Sequence, residues 1–170
     1  MQFLKNFYLT NVRYQLTNKF VYKKIAKLPK FKKVVLNFGS KTTDTKMLFS
    51  GLLAFELITN QKGLLTTTNI GVTFQIKKGN PAGCKLTLQK NNLFKFFTEF
   101  LLNVIPKIKI NRFNLNKNTL SCKIKETLIL WKLETHYYFF NHLSDLNLTL
   151  VMTTNSKKEV VFFYKLLYLS

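Results

Sequence analysis

Phe74-Gln75-Ile76-Lys77-Lys78-Gly79-Asn80-Pro81-Ala82-Gly83-Cys84-Lys85-Leu86-Thr87-Leu88 is the stretch on which the reading of this chain turns. Its first half is polar and basic, with Gly79, Pro81 and Gly83 on alternate positions. Proline fixes φ and removes a backbone donor, while glycine admits backbone angles closed to other residues. These residues predict a loop of defined shape that protrudes over residues 73–83 and presents Lys77 and Lys78 outward. The second half alternates, with Cys84, Leu86 and Leu88 on one face and Lys85 and Thr87 on the other. That is the period of a half-buried strand. On spacing alone the whole is an ordinary hairpin.

Upstream, Lys33-Val34-Val35-Leu36-Asn37-Phe38 reads as a strand ended by Gly39. Asp44 suits the N-cap of a helix running to about Thr59, with Leu48, Leu52, Phe55 and Ile58 as its buried stripe. Asn60-Gln61-Lys62-Gly63 makes a turn, and Leu64 to Val72 is threonine-rich and extended. Residues 1–28 are basic and carry no acid, fitting either a transit peptide or a basic amphipathic helix closed by Leu28-Pro29. Downstream, Asn91 or Asn92 is the expected cap of a helix bearing Leu93, Phe97, Phe100, Leu101 and Val104, stopped by Pro106. A strand then sets Leu120, Cys122 and Ile124 against Ser121, Lys123 and Lys125. Residues 127–144 are aromatic and without clear period, with Trp131, Tyr137, Tyr138, Phe139 and Phe140 all needing a packing site. Leu146, Leu148, Leu150 and Met152 alternate again, and Ser156 to Glu159 has capping-box spacing before a last helix through Val160, Phe163, Tyr164 and Leu167. The order implies a single α+β domain over 1–170, a mainly antiparallel sheet with helices packed on one face.

A chain of 170 residues with 46% hydrophobic content has ample core for one domain. Its 27 basic against 7 acidic residues leave +20, a self-repelling balance best explained by a polyanionic partner. Nucleic acid is favoured over a membrane surface, because no run of about 18 apolar residues exists to span a bilayer. Arg13 and Arg112 are the only arginines, so the charge is lysine, a point charge suited to phosphate. The abundance of Lys, Asn, Phe and Ile also matches an AT-rich genome, which accounts for part of the lysine excess. Cys84 and Cys122 fall in the apolar phase of strands and read as buried small hydrophobes.

Catalytic chemistry finds no footing. Asp44, Glu56, Glu99, Glu126, Glu134, Asp145 and Glu159 are scattered and form no acid/base pair. His136 and His142 lack the partners of a zinc site. Gly39-Ser40-Lys41-Thr42 lacks the upstream glycine and Gly-Lys pair of a phosphate loop. No cofactor, metal or catalytic residue is expected.

With its elements in place, the chain resembles universal large-subunit ribosomal protein family five, whose members bind 5S rRNA in the central protuberance. Leu28-Pro29 with Lys33 to Gly39 is similar to the family's first strand, and Ile58-Thr59-Asn60-Gln61-Lys62 to its Ile-Thr-Gly-Gln-Lys turn. Phe74 to Leu88 matches its longest signature; Val104-Ile105-Pro106-Lys107-Ile108-Lys109 and Thr149 through Glu159 follow in family order. The resemblance runs from about residue 20 to the C-terminus.

It implies that Asn37, Gln61, Lys77 and Thr87, with the neighbouring Lys85, contact 5S rRNA. It implies that a loop including Phe74, Gln75, Lys77, Lys78, Gly79, Asn80 and Pro81 faces the P-site tRNA, reading folded RNA by shape and phosphate. The implied partners are 5S rRNA, large-subunit rRNA, tRNA and neighbouring central-protuberance proteins. The chain departs from the pattern where the family's basic second strand becomes Thr66-Thr67-Thr68-Asn69, and its Pro-Arg-Ile-Arg becomes Pro106-Lys107-Ile108-Lys109. Its glycine-rich loop becomes Phe113 to Asn118, and the segment around Trp131 has lost a proline and acids. Such divergence points to an organellar ribosome, mitochondrial in preference to plastid or bacterial. Residues 1–28 match the family's first helix in length, so the expectation is that no presequence precedes it. The competing reading is a free-standing RNA-binding or RNA-processing factor.

Overall fold

The computed structural model describes residues 3–39, 44–68, 77–107, 114–154 and 156–168. Among these residues six strands, β1 (Lys30–Gly39), β2 (Leu64–Thr67), β3 (Pro81–Leu88), β4 (Asn114–Leu115), β5 (Thr119–Ile124) and β6 (Leu146–Thr153), form one sheet in the order β2-β3-β1-β6-β5-β4. Every pairing is antiparallel. The alternating sequence explains why the sheet is amphipathic. Val34, Leu36 and Phe38 of β1, Cys84, Leu86 and Leu88 of β3, Leu120, Cys122 and Ile124 of β5, and Leu146 to Met152 in alternation on β6 are all buried. A period of two puts these side chains on one face of the sheet. Among the described residues, the helices pack on that face.

Helix α3 (Thr45–Thr59) lies over β1 and β3. Phe55 stacks on Phe38 with ring centroids 4.8 Å apart, and the Cys84 thiol donates to the Leu48 carbonyl at 3.2 Å. The Asp44 carboxylate accepts from the Lys46 amide at 3.0 Å, the expected cap, and Asn60 ends the helix in the left-handed region. Leu52 is only partly buried; Met47, Gly51 and Ala54 complete the inward stripe instead. Helix α4 (Lys90–Glu99), continued by a π turn at Phe100–Val104, and helix α6 (Lys157–Tyr168) cover the other end. Phe31 joins them, 5.4 Å from Phe97 and 5.0 Å from Phe163. Ser156 accepts from the Glu159 amide at 3.4 Å, one half of the capping box.

Three expectations need correction. The N-terminal helix does not extend through residue 28: it runs as α1 (Phe3–Phe7), a π turn (Tyr8–Val12) and α2 (Arg13–Lys19), then opens at Phe20. Phe20 and Tyr22 alternate inward, and Phe20 meets Phe162 of α6 edge-on at 5.7 Å, which requires extended chain. Strand β1 begins at Lys30, earlier than read, because Lys30 and Phe31 already pair with Thr153 and Met152. Neither Asn91 nor Asn92 caps α4. Gln89 occupies the cap position without a side-chain bond, because one residue after β3 the chain has already turned, with Lys90 at φ 51°. The extended run expected from Leu64 is a strand over Leu64–Thr67, and 69–76 lie outside the described residues.

The aromatic segment resolves into tight turns: Thr127–Ile129, Glu134–His136 and helix α5 (Tyr137–Phe140). Trp131 packs 5.9 Å from Phe96 and Phe140 is buried, but Tyr137, Tyr138 and Phe139 face solvent. No helix among the described residues is long and apolar enough to cross a membrane.

Candidate nucleic-acid interface

The face of the sheet turned away from the helices is the candidate site, and strand register assembles it. Asn37 pairs with Lys85 on one side and Asn147 on the other, and Asn147 pairs with Lys123. One row across four strands therefore reads Lys85, Asn37, Asn147, Lys123. The next row is Thr87, Val35, Thr149, Ser121 and Asn114, and a third holds Lys33, Val151 and Thr119. None of these side chains is aromatic or acidic. The one carboxylate described at the margin, Asp145, holds Lys123 at 2.7 Å. Its charge leaves the β3 side of the face the more positive.

Gln61 reaches this face from the turn after α3, where its amide donates to the Thr59 hydroxyl at 3.3 Å. With Lys62, Leu64, Lys85, Leu86 and Thr87 it lines a shallow groove beside the edge of β3. Asn37, Gln61, Lys85 and Thr87, inferred separately from sequence, are thus brought together.

Lys77 is set apart from them, at the base of the β2–β3 loop. Its carbonyl accepts from the Asn80 amide at 3.1 Å and the Thr68 hydroxyl at 3.0 Å. Gly79, at φ 90°, donates to the Thr68 carbonyl at 3.0 Å, and that left-handed angle is the reason for glycine there. Lys78, Gly79 and Asn80 are exposed, and Pro81 pairs with Thr67 where the strands resume. Lys85 lies four residues further along β3, about 13 Å at the usual rise per residue. Phe74 and Gln75 lie outside the described residues. The loop is braced by Gly83, pressed so close to β1 that a Cβ there would sit 2.5 Å from the Phe38 carbonyl oxygen.

Asn147, Thr149, Ser121, Lys123 and Lys33 carry no family signature in the sequence, although the alternation that marks Asn37 and Thr87 marks them too. Chemically the face offers amides, hydroxyls and ammonium groups. These bind phosphate oxygens and ribose hydroxyls, and the absence of aromatics in the three rows leaves no platform for stacking unpaired bases. Among the described residues no group of three His, Cys, Asp or Glu is placed to hold a metal. Both cysteines are free and buried, and burial pushes the Cys122 thiol up to about 12, so neither is a nucleophile at neutral pH.

No family model matches the chain. Individual proteins do. It is 34% identical over 167 residues to the large ribosomal subunit protein uL5m of Reclinomonas americana, covering 94% of this chain and 92% of that protein. It is 32% identical over 165 residues to uL5 of Wigglesworthia glossinidia brevipalpis, covering 92% and 91%. It is 31% identical over 167 residues to uL5 of Malacoplasma penetrans, covering 93% and 88%. Near-full-length identity at this level, with the antiparallel sheet and its one helical face, shows that the chain belongs to the uL5 family of large-ribosomal-subunit proteins.

Proposed function

We propose that this chain holds 5S rRNA in the central protuberance of a mitochondrial large ribosomal subunit, through the open sheet face, and offers its β2–β3 loop to P-site tRNA. Membership of the family makes it a structural constituent of the ribosome and not an enzyme. The observation that carries the finer reading is the convergence of Asn37, Gln61, Lys85 and Thr87 on a face that no helix covers among the described residues. A sheet face with polar donors and +20 of net charge behind it is complementary to an RNA backbone. The mechanism is passive: fixed donors and lysines meet phosphates and sugars, and the sheet supplies the rigidity. A mitochondrial relative at 34% identity, against 32% and 31% for two bacterial ones, supports the organellar placement by a small margin.

The test separates the two surfaces. Thr87→Val keeps the shape and strand propensity of an exposed residue but deletes its hydroxyl. Leaving an RNA partner unpaired costs about 1–3 kcal/mol, so 5S rRNA occupancy of purified subunits should fall. Lys78→Ala with Asn80→Ala leaves the sheet face untouched and should spare assembly while speeding tRNA dissociation modestly. Loss of 5S rRNA in the loop double variant, with normal occupancy in Thr87→Val, overturns the assignment.

A further inference from the structure

Lysines 19, 23, 24, 27, 30, 32 and 33 put seven positive charges into fifteen residues, and no acid precedes Asp44. All but Lys33 are exposed. The ion pairs of Lys107 with Glu134 and Lys123 with Asp145 lie elsewhere, and Glu159 is an acid whose charge reaches the strap, at Tyr22. A run of like charge is often a solvated, mobile face. Here the backbone beneath it is anchored at Phe20, Pro29 and Lys30, with one closed turn between. Phe20 packs on Phe162 at 5.7 Å, and the Lys19 ammonium sits 4.0 Å over the same ring. The Lys27 amide donates to the Lys24 carbonyl at 3.0 Å, closing a turn. The buried Tyr8 hydroxyl donates to the Pro29 carbonyl at 2.6 Å, and the Lys30 amide to the Thr153 hydroxyl at 3.1 Å.

Phe20, Tyr22 and Leu28 pack inward and fasten the strap, while Val21 and Ile25 stand out at 99% and 68% exposure on its outer side. It presents charge outward on a fixed frame. The strap joins the sheet at Lys30, and its last lysine, Lys33, shares the open face with Val35 and Asn37. From Lys30 back to Lys19 the strap leads past the start of β1 toward α6, with Lys33 the lysine of the seven that register places on the open face. The β2–β3 loop lies beyond the other end of the same ten-residue strand, about 30 Å away. At that far end, β2 (Leu64–Thr67) carries no charge.

We propose that the Lys19–Lys33 strap is a second, sequence-independent phosphate-binding surface, which grips the backbone of a structured ribosomal RNA where it runs off the open face beyond the start of β1. The inference rests on the rRNA reading above for the identity of the polyanion. Lysines on extended chain and a single tight turn match successive phosphates as point charges, with no fork for a base. The strap shifts the electrostatic footing of the interface from the uncharged β2 edge to the opposite end of β1.

The test compares wild type with Lys23→Gln/Lys24→Gln/Lys27→Gln and with Thr87→Val, as full-length proteins. Binding is measured across potassium chloride concentrations to two probes: RNA extracted from large subunits, and an unrelated 24-base-pair RNA duplex. The three lysines are exposed, so circular dichroism and thermal midpoint should stay at wild type. Three lost phosphate contacts should lower the slope of log affinity against log salt by about two to three for both probes. Thr87→Val, which removes no charge, should keep the wild-type slope and lose affinity for the ribosomal RNA alone. A wild-type slope in the triple variant overturns the strap, and a Thr87→Val loss beside it would leave the function proposed above standing. A reduced slope on both probes without any Thr87→Val effect supports the strap and counts against that function. If the triple variant keeps its RNA slope but loses binding to phosphatidylcholine vesicles with 30% phosphatidylglycerol, the strap is a membrane surface and the proposal fails.

Discussion

Gly83→Ala tests how tightly the loop is braced against the sheet. Gly83 pairs with Gly39 of β1 and Thr66 of β2, at the point where three strands converge under the loop. An added Cβ would lie 2.5 Å from the Phe38 carbonyl oxygen, 3.0 Å from the Thr66 hydroxyl and 3.5 Å from the Gly39 Cα. The threonine can rotate away; the Phe38 carbonyl cannot, because its own side chain is fully buried against Phe55. Relief requires β1 and β3 to part by several tenths of an ångström. Overpacking of this kind costs about 1–3 kcal/mol, and reduced entropy of the unfolded chain returns about 0.4–1. A net loss of about 1–2 kcal/mol lowers the midpoint of a domain this size by about 2–8 °C. Gly39→Ala is the control, since nothing lies within 4 Å of a Cβ there. It should stay within about 0.5 kcal/mol of wild type. Calorimetry and urea titration read both variants. RNA binding at a temperature where both are folded should also fall in Gly83→Ala, because Lys85 is two residues away on the displaced strand. A Gly83→Ala midpoint equal to that of Gly39→Ala would refute the close approach as the reason for glycine.

Three further outcomes follow from other parts of the molecule. Lys90 sits at φ 51°, which costs a non-glycine residue about 1–2 kcal/mol, so Lys90→Gly should raise stability by about 0.5 kcal/mol net of glycine's entropy; a urea midpoint below wild type would contradict the strain. Burial holds the Cys122 thiol at about 12 against an ordinary 9.0, and burial foremost, then Glu159, holds the Tyr22 phenol at about 12 against 10.0. Both folded-state values are raised, so stability should be flat below about pH 9 and fall as the pH climbs toward 12; Cys122→Val should delay the onset, and a parallel fall in the variant would acquit the thiol. Tyr138 and Phe139 are 88% and 65% exposed, so Tyr138→Ser with Phe139→Ser should curb aggregation of the free protein and leave its midpoint unchanged, whereas a lowered midpoint would show them packed.

Strands declared themselves in the sequence because each buries one face only, so a period of two survives in Cys84 to Leu88, Leu120 to Ile124 and Leu146 to Met152. Asp44 was legible as a cap for a similarly local reason: its carboxylate bonds two residues on. What failed was set by distant partners. The end of the N-terminal helix depends on Phe162, more than 140 positions from Phe20, and no feature near residue 20 announces it. The false cap at Asn91 or Asn92 arose because asparagine favours caps in general, while here the single residue between β3 and α4 already commits the chain to turn. The aromatic segment had no period to read because it forms isolated turns whose buried residues, Leu130, Leu133 and Phe140, are unevenly spaced and interrupted by the exposed run 134–139.

The candidate site was half legible, and the division follows the sheet. Asn37, Gln61, Lys85 and Thr87 belong to segments with a recognisable signature, whereas Asn147, Thr149, Ser121 and Lys123 belong to plain alternating strands whose polar phase looks like any solvated face. Only register joins them: a single row runs from Lys85 through Asn37 and Asn147 to Lys123 because β1 pairs with both β3 and β6. A shift of one residue in the β1–β6 pairing would put Leu148 opposite Asn37 and turn the apolar side of β6 to solvent. Burial of Leu146, Leu148, Leu150 and Met152 is therefore what selects the polar row on the other side. The same hydrophobic pattern that stabilises the core fixes which amides and lysines face outward together, and the sheet's interface half and core half are two readings of one constraint.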